Sequence, residues 1–253
     1  MKLPIATLLL SSFFLAQTAS AQTKELHVLC SNGIKDAVEH SLAAAEKKIG
    51  RKVKIEYSAS TIFQKSIEQG ADFDLTILTP GIIDALTKSG KLVAGSKTDI
   101  ASADLALGVK AGSPKADVST PDGMKKRLLA AKTITWTDGG AASPAALAMF
   151  KGLGIEEQLK SKIVLQTVPG RPAVTVRDGQ NELMVAPVSE IGTVPGVEVL
   201  GVFPKEYQKP VVMTAGISAK AKDAEGAKAL VAFLTSPAAA KAIQGAGMKQ
   251  LSK

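Results

Sequence analysis

The tightest constraint on this chain is a unit that recurs along it: a short apolar run, a polar or glycine-bearing turn, then apolar residues at helical spacing. Leu26 to Cys30 is the first run and Ser31-Asn32-Gly33 closes it; Ile34, Ala37, Val38, Leu42, Ala45 and Ile49 then recur at steps of three and four. That is a strand, a tight turn and an amphipathic helix. Gly50 ends the helix, Val53 to Tyr57 is a second strand, and Ser58 to Thr61 is a polar turn. Ile62, Phe63, Ser66 and Ile67 mark a second helix, stopped at Gly70. Leu75 to Leu78 reads as a buried strand, and Thr79-Pro80 opens a third helix as cap and first-turn proline. The βαβαβα order predicts a parallel sheet with helices on both faces.

A second α/β set follows. Ile100 to Lys110, with Leu105, Leu107 and Val109 alternating, reads as a strand leaving the first lobe. Thr120-Pro121 caps a helix, Thr133 to Trp136 is a strand, and Ser143-Pro144 caps an alanine-rich helix ending near Gly152. Ile163 to Val168 is a strand, Pro172 to Arg177 a short helix, Glu182 to Ala186 a strand, and Pro210 to Ser218 a long β-prone run. The last two helices start at Asp223 and at Ser236-Pro237. With no flexible linker, short crossing strands near residues 100 to 112 and 203 to 215 are expected to join two lobes, and two crossings make a hinge.

Ahead of this pattern stands a segment of another kind. Lys2, the apolar stretch Ile5 to Ala16 and the small residues Ala19-Ser20-Ala21 have the order of a cleavable export signal over residues 1–21. The apolar stretch is shorter than the ~18 to 20 residues a membrane span needs. An exported, soluble periplasmic protein without stable membrane insertion is expected. Cys30 is the single cysteine, so an intrachain disulfide is excluded, and burial at a strand end is its expected fate. The formal charge of +8 falls to +7 without the leader. Its basic residues are scattered and only 4% of residues are aromatic, which argues against a nucleic-acid surface.

Candidate catalytic groups are few. His27 and His40 lack partners at metal-ligand spacing, and no HxxxH or CxxC occurs, so neither metal nor cofactor is expected. Thr137 to Ser143 carries glycines but lacks both the phosphate-loop Lys-Ser/Thr and a full GxGxxG. What recurs is a small hydroxyl or amide residue between strand and helix: Ser31-Asn32-Gly33, Ser60-Thr61, Ala142-Ser143 and Gly170-Arg171. Helix N-termini present unpaired N–H groups and a positive dipole end, so several converging turns can hold a small anion. The same residues are also ordinary N-caps. Asp138 and Glu190, near strand ends, read as caps or rim residues.

These residues resemble a family. Cys30-Ser31-Asn32-Gly33, Tyr57-Ser58-Ala59-Ser60-Thr61, Ile67 to Leu75, and the terminal Phe233-Leu234-Thr235-Ser236-Pro237-Ala238 are similar to periplasmic solute-binding proteins of the molybdate-binding type. The resemblance implies an α/β, type II periplasmic-binding-protein fold: two Rossmann-like lobes joined by crossing strands. Residues 22–104 with 208–253 would form one lobe and 105–207 the other. It also implies a monomer that closes on a small anionic ligand and delivers it to an ABC permease. Carried over by position, the ligand-binding set is Ser31, Ser60 or Thr61, the Ala142-Ser143 turn, and Gly170-Arg171; Asn32 and Gly33, standing where the family has Ser-Leu, join it because they permit close backbone approach. Where molybdate binders place a tyrosine, this chain has Pro187, which supplies neither hydroxyl nor N–H. A carboxylate or polycarboxylate would suit Arg171 and the hydroxyls as well as an oxyanion would. Aconitate isomerases are similar to the same scaffold, and such a proton transfer would have to draw on Asp138, Glu190 or Ser31. A sensor or scavenging protein without a transporter is a third possibility.

Overall fold

The computed structural model describes residues 25–192 and 194–251. The expected leader, residues 1–21, lies outside them. From the N-terminal side the chain forms β1 (Leu26–Ser31), α1 (Lys35–Ile49), β2 (Val53–Ser58), α2 (Ser60–Glu68), β3 (Leu75–Leu78), α3 (Pro80–Lys88) and β4 (Thr98–Ala103). Then come β5 (Leu105–Lys110), α4 (Pro121–Ala130), β6 (Ile134–Thr137), α5 (Ser143–Gly152), α6 (Glu156–Leu159) and β7 (Ile163–Gln166). The remainder is α7 (Arg171–Arg177), β8 (Leu183–Pro187), α8 (Val188–Ile191), β9 (Val197–Val202), β10 (Val211–Ile217), α9 (Ala224–Leu234), α10 (Pro237–Gly245) and β11 (Lys249–Gln250).

Two sheets result. One has the order β11-β4-β10-β3-β1-β2, the other β7-β6-β8-β5-β9. β1 runs parallel to β2 and β3, as the βαβ reading requires. The fully parallel sheet expected from sequence is corrected, however. β10 enters antiparallel between β3 and β4, and in the other sheet β5 lies antiparallel to β8 and β9. These are the strands that start or end a passage between sheets, so they arrive from the opposite direction and reverse the local polarity. The expected strand 100–110 is two strands broken at Asp104, one in each sheet. β9 escaped the sequence reading because it is an edge strand whose Val199 and Val202 stay exposed, leaving no clean alternation.

The apolar runs fill the interior. Leu26, Val28, Cys30, Leu75 and Ile77 are buried on adjacent strands of the first sheet, and the matching α1 face adds Ile34, Ala37, Val38 and Ala45. Each large aliphatic side chain taken fully out of water contributes about 1.5–3 kcal/mol. Gly50, at φ 65°, ends α1 in the left-handed conformation that glycine adopts without strain. Across the interior of the second sheet, Trp136 and Phe150 meet with ring centroids 6.0 Å apart.

One buried carboxylate joins three segments of the first sheet. Asp74, 4% exposed, accepts from the backbone N–H groups of His27 at 2.9 Å, Lys222 at 2.7 Å and Asp223 at 3.0 Å. Asp223 in turn caps α9 through Gly226 and pairs with Arg51 at 2.7 Å. Nearby, Asp72 pairs with Lys222 at 3.0 Å, but both side chains are about three-quarters exposed. The two aspartates should therefore separate in a urea titration. Asp74→Ala strands one buried and two partly buried backbone donors and should cost about 3 kcal/mol, whereas Asp72→Ala should stay within about 0.5 kcal/mol of wild type. Equal effects would show that the Asp74 bonds do not hold the sheet.

Candidate functional site

The carboxyl ends of β1, β2, β6 and β8 open into one cavity of about 620 Å³, with walls from both sheets. This is where an open α/β sheet places its ligand crevice, because each strand there turns into the helix that follows. From the first sheet come Ser31 and Asn32, the cleft-facing side of α1 with Lys35, Asp36 and Glu39, and the Ala59-Ser60 turn. The second sheet contributes Trp136 and Thr137, the Gly140 to Ala142 turn, the Val168 to Val174 segment, Met184 to Pro187, and Glu190.

Ser31 ends β1 and caps the 3-10 turn Asn32–Ile34, its Oγ accepting from the Gly33 N–H at 3.3 Å. Ser60 is the first residue of α2, with Ala59 as N-cap; the earliest intrahelical bonds are made by Ile62 and Phe63 to the Ala59 carbonyl. The Ser60 Oγ is buried and has no hydrogen-bond partner among the described residues, although its residue lines the cavity. An unsatisfied buried hydroxyl carries a cost that an arriving acceptor removes. On the other side, Gly170 adopts φ 79°, and this left-handed cap turns the chain so that Arg171 starts α7 at the cavity wall.

Of the residues singled out in the sequence, Ser31, Asn32, Ser60, Ala142, Gly170, Arg171 and Pro187 line this cavity; Gly33, Thr61 and Ser143 do not. Gly33 lies beneath the wall, where a Cβ would come within 2.6 Å of the Met213 Cε, and its carbonyl accepts from Ser189 Oγ of α8 at 2.8 Å. Thr61 follows Ser60 on the helix and turns instead toward Gly139, whose Cβ would stand 3.6 Å from Thr61 Oγ1. Ser143 is the first residue of α5, not its cap; Ala142 holds that place, and the Ser143 hydroxyl accepts from Trp136 Nε1 at 2.9 Å. Its task there is to orient the indole that lines the cavity. Asp138 is exposed and outside the wall.

The charges in the cavity are mixed. Lys35 and Arg171 face Asp36, Glu39 and Glu190, so no simple basic funnel exists. Glu190 is the group the sequence reading underrated. It sits on α8 in the cavity wall, and burial pushes its carboxyl up to about 7. Lys35 lies 5.4 Å from the centre of the Tyr57 ring, whose buried hydroxyl also lacks a partner among the described residues and is pushed above its ordinary range by burial. Cys30 is buried as expected, and burial followed by the Glu39 charge holds its thiol far from ionisation, leaving no nucleophile there. His27 pairs with Glu56 at 2.8 Å, and no cluster of metal-ligating side chains occurs among the described residues. Lys35, Asp36 and Glu39 could have been found from their place: they form the polar stripe of the helix that directly follows Ser31-Asn32-Gly33.

Comparison with known proteins fits this architecture. An aconitate isomerase from Pseudomonas sp. is 27% identical over 254 residues, covering 97% of this chain and 96% of that protein. The periplasmic molybdate-binding protein of Azotobacter vinelandii superposes with a TM-score of 0.74 at 19% identity, over 90% of this chain and 100% of that one. The sulfate-binding protein of Mycobacterium tuberculosis gives 0.72 at 18% identity, over 90% and 87% respectively. At these identities the structural likeness is one of fold, the type II periplasmic-binding-protein fold. The family model of the bacterial extracellular solute-binding proteins matches residues 26–249, which span both sheets and the cavity between them, and the chain belongs to that family.

Proposed function

We propose that this solute-binding protein is exported through cleavage of residues 1–21 and captures a small anion, an oxyanion or an organic (poly)carboxylate, between its two sheets. Residues 22–104 with 208–253 act as one lobe and 105–207 as the other, and the loaded monomer hands its ligand to an ABC permease in the periplasm. The observation that carries this reading is the Ser60 hydroxyl, buried and without a partner in the wall of the inter-sheet cavity. Ser31, Asn32, the Ala142 turn and Gly170-Arg171 stand around the same space and supply further donors. The molybdate- and sulfate-binding proteins of the same fold support an anion as the ligand class.

A second reading, an isomerase acting on a tricarboxylate, is favoured by Glu190. A general acid/base works best with a pKa near the operating pH, and Glu190 is a cavity carboxyl poised near neutrality. The aconitate isomerase relative, similar along nearly its whole length, supports the same idea. Incubation of concentrated protein with cis- or trans-aconitate decides it: unchanged substrate removes this reading.

For capture, a calorimetric and thermal-shift screen of molybdate, tungstate, sulfate, phosphate, citrate and the aconitates should find at least one stabilising anion; stabilisation by none would remove the binding reading. With that anion, Ser60→Ala should weaken affinity about tenfold or more, the effect of one hydrogen bond to a charged group, while the ligand-free protein should gain about 1 kcal/mol because a buried hydroxyl without a partner is removed. Ser31→Ala should weaken affinity and also cost about 1 kcal/mol, because it removes the cap on Gly33. Unchanged affinity in both variants would place the ligand elsewhere.

A further inference from the structure

Glu190 stands where the two sheets touch. Its carboxyl lies against the turn after β1, since a Cβ on Gly33 would be 3.4 Å from Glu190 Oε1, and it faces the cavity. The charged groups sharing that cavity are Lys35, Asp36 and Glu39 of α1 and Arg171 of α7. Other elements packed on α8 bring little charge to it. β8 and the 3-10 turn Asn32–Ile34 carry no ionisable side chain. The ionisable groups of β5 and β9, Lys110 and Glu198, sit at the strand ends remote from Pro187 and outside the cavity wall. Asp104, whose carbonyl accepts from Val188 N–H, is exposed.

Ionised, Glu190 would add a third carboxylate to Asp36 and Glu39, against two cations, in a space that receives an anion. Neutral, it is an acid whose O–H can donate. Burial favours that neutral form in the free protein, and a bound anion would favour it further. We propose that Glu190 meets the ligand as a hydrogen-bond donor, so that a proton enters with the anion wherever the free carboxyl is ionised. The site then prefers a ligand that presents an acceptor there, a carboxylate or fully ionised oxyanion, over one that presents a hydroxyl or ammonium. This inference rests on the anion-binding reading.

The test is calorimetry at pH 6 and pH 8 with sulfate and molybdate, both dianions across that range. If protonated Glu190 is required, the dissociation constant of wild type rises about tenfold from pH 6 to pH 8, following the linkage for a group titrating near 7. In Glu190→Gln, whose amide donates at every pH, the ratio stays near one. A flat wild-type profile, or an equally steep one in Glu190→Gln, overturns the inference and leaves capture standing; no binding of either anion at pH 6, or of any in the wider screen, removes capture and the inference together. A ligand-free measurement checks the premise. Because the folded carboxyl titrates above its unfolded value, wild type is favoured below about pH 4.5 and loses that stability as pH rises through about 7. Glu190→Gln should therefore gain melting temperature relative to wild type between pH 5 and pH 8; no gain would mean that Glu190 ionises without cost and would overturn the proposal.

Discussion

The arrangement depends on where the chain passes between its sheets. At the first passage β4 ends, Asp104 intervenes and β5 begins in the other sheet; the return runs through residues 203–210 into β10. The two passages are fastened to each other. Gln208 accepts from Leu105 N–H at 2.9 Å through Oε1 and donates to the Leu105 carbonyl at 3.0 Å through Nε2, and Phe203 N–H donates to that carbonyl at 2.9 Å. With the crossings held side by side, both sheets are oriented so that the carboxyl ends of β1, β2, β6 and β8 share one space. Turns far apart in sequence become neighbours for that reason, and no single turn makes a site by itself.

This placement also explains why net charge is a poor guide to the cavity. The surplus of lysine and arginine is spread over helix surfaces and used in exposed pairs such as Lys52–Glu46, Lys97–Asp84 and Lys228–Glu225, each worth little in water. Inside the cavity the acids equal or exceed the bases, depending on the state of Glu190. On the proposed anion-binding reading, discrimination falls to directed donors such as Ser31, Ser60 and Arg171, whose interactions strengthen as water is excluded. Neutral hydroxyls and backbone N–H groups fit this role, because they need no counter-charge when the site is empty.

Features encoded locally could be read from the sequence, and those decided by packing could not. Ser31 and Gly170 announce themselves as turn residues between a strand and a helix, and the apolar spacing after each fixes the element that follows. The choice between Ser60 and Thr61 was open because the helix start was unknown by one residue. Once α2 begins at Ser60, successive side chains diverge by a helical step, one into the cavity and the other toward Gly139. Ser143 misled for the complementary reason: a serine before proline reads as a cap, yet tertiary contact gives its hydroxyl to Trp136. Nothing in the four residues of α8 marks Glu190; its burial follows from the packing of β5, β8, β9 and the turn after β1 around that short helix.

That short helix is bonded to both halves of the fold. Val188 N–H is bonded to the Asp104 carbonyl at the first crossing, at 2.9 Å, and Ser189 Oγ to the Gly33 carbonyl, at 2.8 Å, so α8 is tied to the crossing and to the first sheet at once. Gly247 lies equally close, since a Cβ there would come within 2.9 Å of Val188 Cγ1. Any change in the angle between the sheets must disturb these contacts, and Glu190 moves with them. On the two proposed readings, the same residue lies on the dividing line between a scaffold that only holds an anion and one that moves a proton within it: a carboxyl against the bound molecule shares its proton in the first and transfers it in the second.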